Sequence, residues 1–482
     1  MNILFVTSEI HPLTKTGGLA DVSGALPAAL RKLDMDVRVL VPGYSKVLAA
    51  LPDKKLLVSL ALPAHGTFSL YSANMPDNAV PLIVIDHPAY FDRRGGPYQD
   101  ISGQDWPDNY LRFGLLSEVA SLLGSSDSPL NWSVDLVHCN DWQTGLTPAY
   151  LHHRNARPAA TLMTIHNLAY QGIFPPHTLA ELNLPPSSFS IEGLEYYGNL
   201  SFLKAGLYYA DHISTVSPSY AAEIQQEALG FGLQGLLFQR RAQLTGIVNG
   251  IDTNDWNPAS DPHLSHNYRI GDMSGKAAVK RQLQADHSLT KSKDTPLCGI
   301  ISRMTHQKGQ DMLLAIAPQL IEAGVQIIVL GSGDTLLETQ LRQLAAEYPA
   351  QVSVVIGYDE GLAHCIEAGA DIFLMPSRFE PCGLNQMYSQ RYGTPPIVHR
   401  TGGLADTVTD TTSATLADGS ATGFMFDEAT PAAFLAAVQR ALASYRNPRQ
   451  WNQIKKHAME RDFSWEASAT HYQKLYESLI TH

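Results

Sequence analysis

The chain has 482 residues, enough for two large α/β domains or about three ordinary ones and for a sizeable buried core. Its formal net charge of −12 repels phosphate polymers and anionic membrane surfaces, so neither nucleic acid nor a membrane is expected as a partner. Only 17% of the residues are charged and 44% are hydrophobic, a balance that argues against extended disorder.

Ile3 to Val6 reads as a short strand buried on both faces. Leu19, Val22, Leu26, Leu30 and Leu33 then recur at helical spacing, and Val37 to Val41 returns as strand. Met1 leads straight into the first strand without a basic segment, and Glu9 ends the apolar run well short of a membrane helix. No secretion or anchoring is implied. The four cysteines, Cys139, Cys298, Cys365 and Cys382, form no C-x-x-C pair and no disulfide scaffold, so a reducing, cytoplasmic setting is expected.

Strand signals continue at Val134 to Val137 and Thr161 to Ile165, with a helix expected from near Trp142 between them. His212 to Val216 follows, closed by Ser217-Pro218 as helix cap and first turn. A turn-rich stretch, Val248 to Asp252, then sets a boundary between a first domain, 1–248, and a second, 249–465. In the second, Leu297 to Ile301, Gln326 to Leu330, Val352 to Ile356, Ile372 to Met375 and Pro396 to Val398 read as strands separated by amphipathic helices such as Asp311 to Ile321. The expected fold class is α/β, with two facing Rossmann-like, doubly wound domains and a deep cleft at the carboxyl ends of both sheets.

The strongest internal signal is a repeat. Thr16-Gly17-Gly18-Leu19-Ala20-Asp21 returns letter for letter as Thr401-Gly402-Gly403-Leu404-Ala405-Asp406, preceded by Lys15 and Arg400 respectively. Each copy follows a strand and opens a helix, where paired glycines let backbone N–H groups approach an anion. A lone Thr-Gly-Gly is more often a plain turn, but two copies in two sheets favour phosphate binding. The Gly-x-Gly at Gly331-Ser332-Gly333 has Leu336 where a dinucleotide fold wants a third glycine or alanine, and no P-loop occurs.

Arg303 and Lys308 lie just past a strand end, where cations would meet a leaving diphosphate; the bland alternative is solvated surface charge. Glu380 follows another strand between Ser377 and Asn385, either as a helix-cap acid or held by Pro381 and Gly383 toward ligand hydroxyls. Cys382 alone reads as a packed thiol rather than a nucleophile. His166 and Asp141 also follow strands; the alternatives are a satisfied core histidine and a cap for the helix expected at Trp142. Asp34-Met35-Asp36 suggests a metal-chelating D-x-D but sits at the wrong end of a strand, and reads as a solvated turn.

Lys15 to Val22, Thr164 to Gly172, Ser201 to Asp211, Ser302 to Gly309, Ser377 to Leu384 and the second Thr-Gly-Gly together resemble the bacterial glycogen synthases and plant starch synthases. The resemblance spans almost the whole chain. It implies a GT-B glycosyltransferase that moves glucose from ADP-glucose to the nonreducing end of an α-1,4-glucan with retention, using no metal and no other cofactor. By that resemblance Lys15, Arg303 and Lys308 neutralise the diphosphate, Glu380 and His166 hold the glucose, Asp141 lies in the donor and acceptor region, and Tyr358 stacks on adenine. Gly17, Gly18, Asp21, Asn167, Cys382, Gly383, Leu384, Asn385, Thr401, Gly402 and Gly403 would complete the substrate site, and 466–482 would be a helix crossing back to the first domain.

Two departures stand out. His138-Cys139-Asn140-Asp141-Trp142-Gln143 replaces His-Ala-His-Asp-Trp-His of many bacterial members, and Tyr388 stands where related retaining enzymes often carry a second glutamate. A sugar-nucleotide epimerase of the same fold and a noncatalytic glucan-binding protein are the rival readings, separated by glucan-dependent ADP release. Oligomeric state is not legible in the sequence.

Overall fold

The computed structural model describes residues 1–154 and 156–480. The chain divides into two compact units, Met1–Gly250 with Trp465–His482, and Ile251–Ser464.

The first unit is built on β1 (Asn2–Val6), β2 (Asp36–Pro42), β3 (Lys55–Leu62), β4 (Gly66–Asn74), β5 (Pro81–Asp86), β6 (Leu136–Asn140) and β7 (Ala160–Ile165). A small antiparallel sheet of β8 (Ile173–Phe174), β9 (Glu195–Tyr196) and β10 (Asn199–Ser201) follows, then β11 (His212–Thr215) and β12 (Leu244–Gly246) return to the main sheet. The main sheet runs β12-β11-β7-β6-β1-β2-β5-β4-β3, parallel except where β4 and β3 form an edge hairpin on β5. Ile3, Leu4, Phe5 and Val6 of the central β1 are completely buried, as a near-continuous apolar run in a doubly covered parallel sheet requires.

Three local expectations need correction. The strand expected from Val134 starts at Leu136; Asp135 ends the sheet just before it, its backbone bonded to Asn2 and Ala160 and its carboxylate accepting the Asn2 N–H at 2.7 Å, so Val134 lies beyond the last pairing. The helix expected at Trp142 begins as a 3₁₀ turn, Trp142–Thr144, and becomes α-helical only over Leu146–His153. Gly145 between them presses on the Phe202 carbonyl, which a Cβ there would meet at 2.1 Å. Of Asp34-Met35-Asp36, only Asp34 has turn geometry, with φ 60°. Met35 is buried, and Asp36 opens β2 and accepts the Trp132 indole N–H at 2.8 Å.

The last helix, Trp465–Ile480, packs in this first unit. Its Tyr476 hydroxyl meets His138 Nδ1 at 2.7 Å, while His138 Nε2 meets Thr164 Oγ1 at 2.6 Å, fixing the helix to β6 and β7.

The second unit has one all-parallel sheet of β13 (Leu297–Ile301), β14 (Gln326–Gly331), β15 (Val352–Ile356), β16 (Ile372–Met375), β17 (Pro396–His399) and β18 (Phe424–Phe426). Met312, Leu313, Ile316 and Leu320 of the helix Gln310–Glu322 pack with Phe434 and Val438 of the helix Pro431–Tyr445 in its core. The order β15-β14-β13-β16-β17-β18 runs outward in one direction from β13 and in the other from β16. That reversal is a topological switch point, and the first sheet has its own between β1 and β6. Loops leaving the carboxyl ends of such strands diverge and open a ligand crevice. Among the described residues, no helix is long and apolar enough to cross a membrane. All four cysteines are free.

Candidate active site

In the first unit the loop after β1 carries Lys15-Thr16-Gly17-Gly18 into the helix Gly18–Arg31. Its conformation is set by a residue the sequence analysis did not single out. The buried Glu9 carboxylate accepts the backbone N–H groups of Thr16 and, at 3.2 Å, Gly17, and also takes the Tyr98 hydroxyl. Burial raises its pKa above the usual carboxylate range, with these hydrogen bonds pulling the other way. The Lys15 ammonium reaches Asp21 at 2.7 Å on the exposed side of the loop. A Cβ at Gly17 or Gly18 would meet nothing within 4 Å, so the glycines leave open space over the helix N-terminus.

Across the switch point, Asp141 follows β6 in the positive-φ region, with φ 55°. It does not cap the following turn. Its buried Oδ1 instead accepts the backbone N–H of His166 at 2.7 Å and, more weakly, that of Asn167 at 3.4 Å. Burial pushes its pKa up to about 7, with the nearby Glu9 charge adding to the rise. Asn167 in turn caps its own loop through Oδ1 and the Ala169 N–H at 3.1 Å.

His166 Nε2 lies 2.9 Å from Asn140 Oδ1. Asn140 Nδ2 donates to the carbonyls of Val6 at 3.0 Å and His138 at 3.3 Å, so its oxygen must face His166, which therefore donates from Nε2. The imidazole is left with an acceptor lone pair on Nδ1. Burial lowers its pKa to about 3, so the ring stays neutral around pH 7. The asparagine in a family histidine position thus selects the His166 tautomer, a role that letters alone do not reveal.

In the second unit, Arg303 and Lys308 follow β13 and Glu380 follows β16, the two strands that flank the switch. Lys308 Nζ lies 2.5 Å from Glu380 Oε2, with both side chains largely buried, and Ser377 Oγ donates to the same oxygen at 3.0 Å. Arg303 is exposed and makes no ion pair among the described residues. Arg378 is spent elsewhere, forking onto the Asp311 carboxylate at 2.8 and 2.7 Å.

The second Thr-Gly-Gly packs directly on the Glu380 loop. Gly403 N–H donates to the Glu380 carbonyl at 3.1 Å, and Cβ atoms at Gly402 and Gly403 would strike the Glu380 and Cys382 carbonyls at 2.0 and 2.2 Å. Thr401 and Cys382 are buried in this contact region. Gly383, with φ 74°, brings the chain round to Leu384 and the helix Asn385–Arg391, where Asn385 Nδ2 ties the helix start to the Ile301 carbonyl at 2.6 Å. Tyr358 stands apart after β15, 78% exposed beyond the hinge-like Gly357 at φ 137°. The Gly331-Ser332-Gly333 pair serves the chain itself, since Cβ atoms there would collide with the Ser302 and Met304 carbonyls at 1.9 and 2.3 Å. Tyr388 stacks on Trp256 at 3.8 Å, so the position of the absent second glutamate is occupied by a packing residue.

Residues 2–239 match the family model described as the starch synthase catalytic domain, and residues 282–458 match glycosyl transferases group 1. The chain belongs to the starch and glycogen synthase family. It is 57% identical to the glycogen synthase of Nitrosospira multiformis, over 100% of this chain and 97% of that one, and 55% identical to that of Nitrosomonas europaea, over 99% and 97%. Among solved structures it resembles the catalytic domain of starch synthase IV from Arabidopsis thaliana, bound to ADP and acarbose, with 30% identity, a TM-score of 0.87 and coverage of 100% and 99%. A sucrose-phosphate synthase from Thermosynechococcus elongatus, 19% identical with a TM-score of 0.61, shares the fold. In this glycosyltransferase family setting, the two doubly wound units are those of a GT-B enzyme.

Proposed function

We propose that the protein transfers glucose from ADP-glucose to the nonreducing end of an α-1,4-glucan in the cytoplasm, releasing ADP and retaining the anomeric configuration. The observation that carries this reading is the buried Lys308–Glu380 pair at the switch point of the second sheet. It fixes a cation and a carboxylate at the crevice where a nucleotide sugar would lie.

Breaking the anomeric C–O bond to phosphate builds negative charge on ADP and positive charge on the sugar. Lys308 and the exposed Arg303 stabilise the first, with Lys15 adding charge from the first loop; the Glu380 carboxylate supports the second and holds Lys308 in place. The acceptor hydroxyl oxygen bonds to the anomeric carbon on the face that ADP leaves, and its proton passes to the departing phosphate oxygen. No enzyme nucleophile is required. Neutral His166 accepts a hydrogen bond from a glucose hydroxyl through Nδ1, while Asp141 orders the His166-Asn167 backbone. Tyr358 offers an exposed aromatic face to adenine, and the backbone at Gly17, Gly18, Leu384 and Asn385 lines the phosphates, while the buried Thr401-Gly402-Gly403 turn, its Gly403 N–H spent on the Glu380 carbonyl, supports the Glu380 loop instead of meeting an anion itself.

Incorporation of labelled glucose into glycogen from ADP-glucose and from UDP-glucose tests the proposal. Faster glucan-dependent incorporation from ADP-glucose is expected. Epimerised nucleotide sugar without glucan dependence, or glycogen binding with no incorporation from either donor, would overturn it.

A further inference from the structure

Away from the Lys308–Glu380 pair, the second unit gathers Asp255, Glu360 and His364 with one ligand-type atom from each within 4.8 Å of the others. Glu360 and His364 are one turn apart on the helix Glu360–Gly369, so both side chains leave the same face. Asp255 comes from the segment that opens the unit. The two carboxylates are exposed and His364 is fully buried.

The histidine is held as a metal-bound imidazole is held. Its Nδ1 lies 2.7 Å from the buried Asp261 carboxylate, which also accepts the Tyr392 hydroxyl at 2.5 Å and the His263 backbone N–H at 2.8 Å. Trp256 stacks on the ring at 3.8 Å and His263 packs against it at 4.7 Å, so its orientation is fixed from several sides. With the Nδ1 proton given to Asp261, Nε2 keeps a lone pair. That atom is buried and has no hydrogen-bond partner among the described residues.

A buried ring nitrogen without a partner, on a histidine grouped with two carboxylates, is an unfavourable arrangement that a shared cation relieves. A histidine that donates its other N–H to a carboxylate is the usual support for a metal-ligating imidazole. One imidazole nitrogen with two carboxylate oxygens suits zinc-type cations.

We propose that Asp255, Glu360 and His364 bind one divalent cation of the zinc class, with Asp261 orienting the imidazole. Tetrahedral zinc ligands lie about 3.4 Å apart, a closure that the two exposed carboxylates supply by rotamer adjustment. The cation would clamp the opening segment of the unit to the helix that starts two residues after Tyr358. It takes no part in the sugar transfer.

The test uses untagged full-length protein and three forms: the parent, Glu360→Gln and Asp255→Asn, both changes at exposed positions. Equilibrium dialysis with zinc chloride, with cobalt chloride as a spectroscopic substitute, gives stoichiometry and affinity; thermal unfolding with and without zinc gives the linked stabilisation. The parent is expected to bind one equivalent with visible cobalt d–d absorption and a rise in Tm, and each variant to bind at least tenfold more weakly without that rise. Absence of stoichiometric binding in the parent would overturn the site, as would equal affinity in the parent and both variants. In the first case Nε2 takes no metal, and in the second the metal sits elsewhere. Neither result bears on the transfer assay, so this proposal and the glucan synthase reading fail separately.

Discussion

The two copies of Thr-Gly-Gly-Leu-Ala-Asp are identical in sequence but differ in what their glycines do. At Gly17 and Gly18 a side chain would meet open space, and the loop is held by a buried carboxylate, Glu9, that accepts its backbone N–H groups. At Gly402 and Gly403 the space is already filled by the Glu380 and Cys382 carbonyls, and the loop is held by backbone contact with the Glu380 loop. The nearby acids differ in the same way: Glu380 has a cation, Lys308, whereas Glu9 has N–H and O–H donors. Repeated letters therefore mark a repeated place in the fold rather than a repeated set of forces.

The largest expected effect tests the acid that has a cation. Glu380→Gln keeps size and hydrogen-bonding reach but removes the charge opposite Lys308. Turnover should fall by roughly a hundredfold or more, equivalent to about 2.7 kcal/mol of transition-state stabilisation, with ADP affinity little changed. Lys308→Ala should lose at least as much. Single-turnover transfer beside calorimetric ADP titration decides: equal losses in rate and ADP affinity would make Glu380 a holder of the nucleotide, and near-normal transfer would exclude it from the chemistry.

The glycines themselves come next. Gly403→Ala places a methyl group 2.2 Å from a backbone carbonyl, and Gly402→Ala does so at 2.0 Å with φ 43°, a strained region for a side chain. Each should cost roughly 2–3 kcal/mol in urea unfolding, because backbone rather than a flexible side chain must give way. Gly18→Ala should change stability by no more than about 0.5 kcal/mol yet slow transfer, if ADP-glucose approaches that open surface. Equal stability costs at positions 18 and 403 would abolish the contrast.

Much of this was legible in sequence because the strands are short apolar runs buried on both faces: Leu297–Ile301, Val352–Ile356 and Ile372–Met375 begin and end where the letters suggest. The edge hairpin β3–β4 was not, since β3 is largely exposed and its burial pattern is weak. The positions of Lys308 and Glu380 after strands were visible, but their contact spans 72 residues and depends on the switch in strand order. The roles of Glu9 and Tyr98 were missed, and Asn140 was seen only as a replaced histidine, for a common reason. Glu9 and Asn140 act on backbone or ring atoms, and Tyr98 on the Glu9 carboxylate, partners that only the folded chain brings near; the available signal was a polar residue ending an apolar run, as Glu9 and Asn140 both do.

A smaller effect is expected at the acid that holds the first loop. Glu9→Gln keeps one oxygen for the Thr16 and Gly17 N–H groups, which share Oε2, but makes it a weaker, uncharged acceptor and puts an NH₂ group where Oε1 accepted the Tyr98 hydroxyl. The loop should loosen, raising KM for ADP-glucose about tenfold while turnover at saturation changes by less than about threefold. Initial rates over a range of donor concentrations separate these outcomes. A collapse in turnover with unchanged KM would place Glu9 in the reaction instead of beneath the loop.

The smallest effect isolates Asp141, a buried acid of the first unit that, like Glu9, is met by backbone N–H groups. Burial and the Glu9 charge raise its pKa from the ordinary 3.8 to about 7. Below pH 3.8 both folded and unfolded chains hold the proton, and the contribution to stability is fully present. As pH rises toward 7 the unfolded chain alone releases it, and stability is lost by at most about 1.4 kcal/mol per pH unit until the folded group also ionises. The substitution Asp141→Asn keeps an oxygen for the His166 N–H and leaves no proton to lose. The variant should therefore gain on the parent by about 1–2 kcal/mol between pH 5 and 7 in urea unfolding. His138 and His166, held neutral with values of about 3, impose the opposite trend below about 6.5 in both proteins, so they cancel in the difference. A constant difference across that range would mean that Asp141 ionises as an ordinary surface acid and that its burial beside Glu9 does not govern its charge.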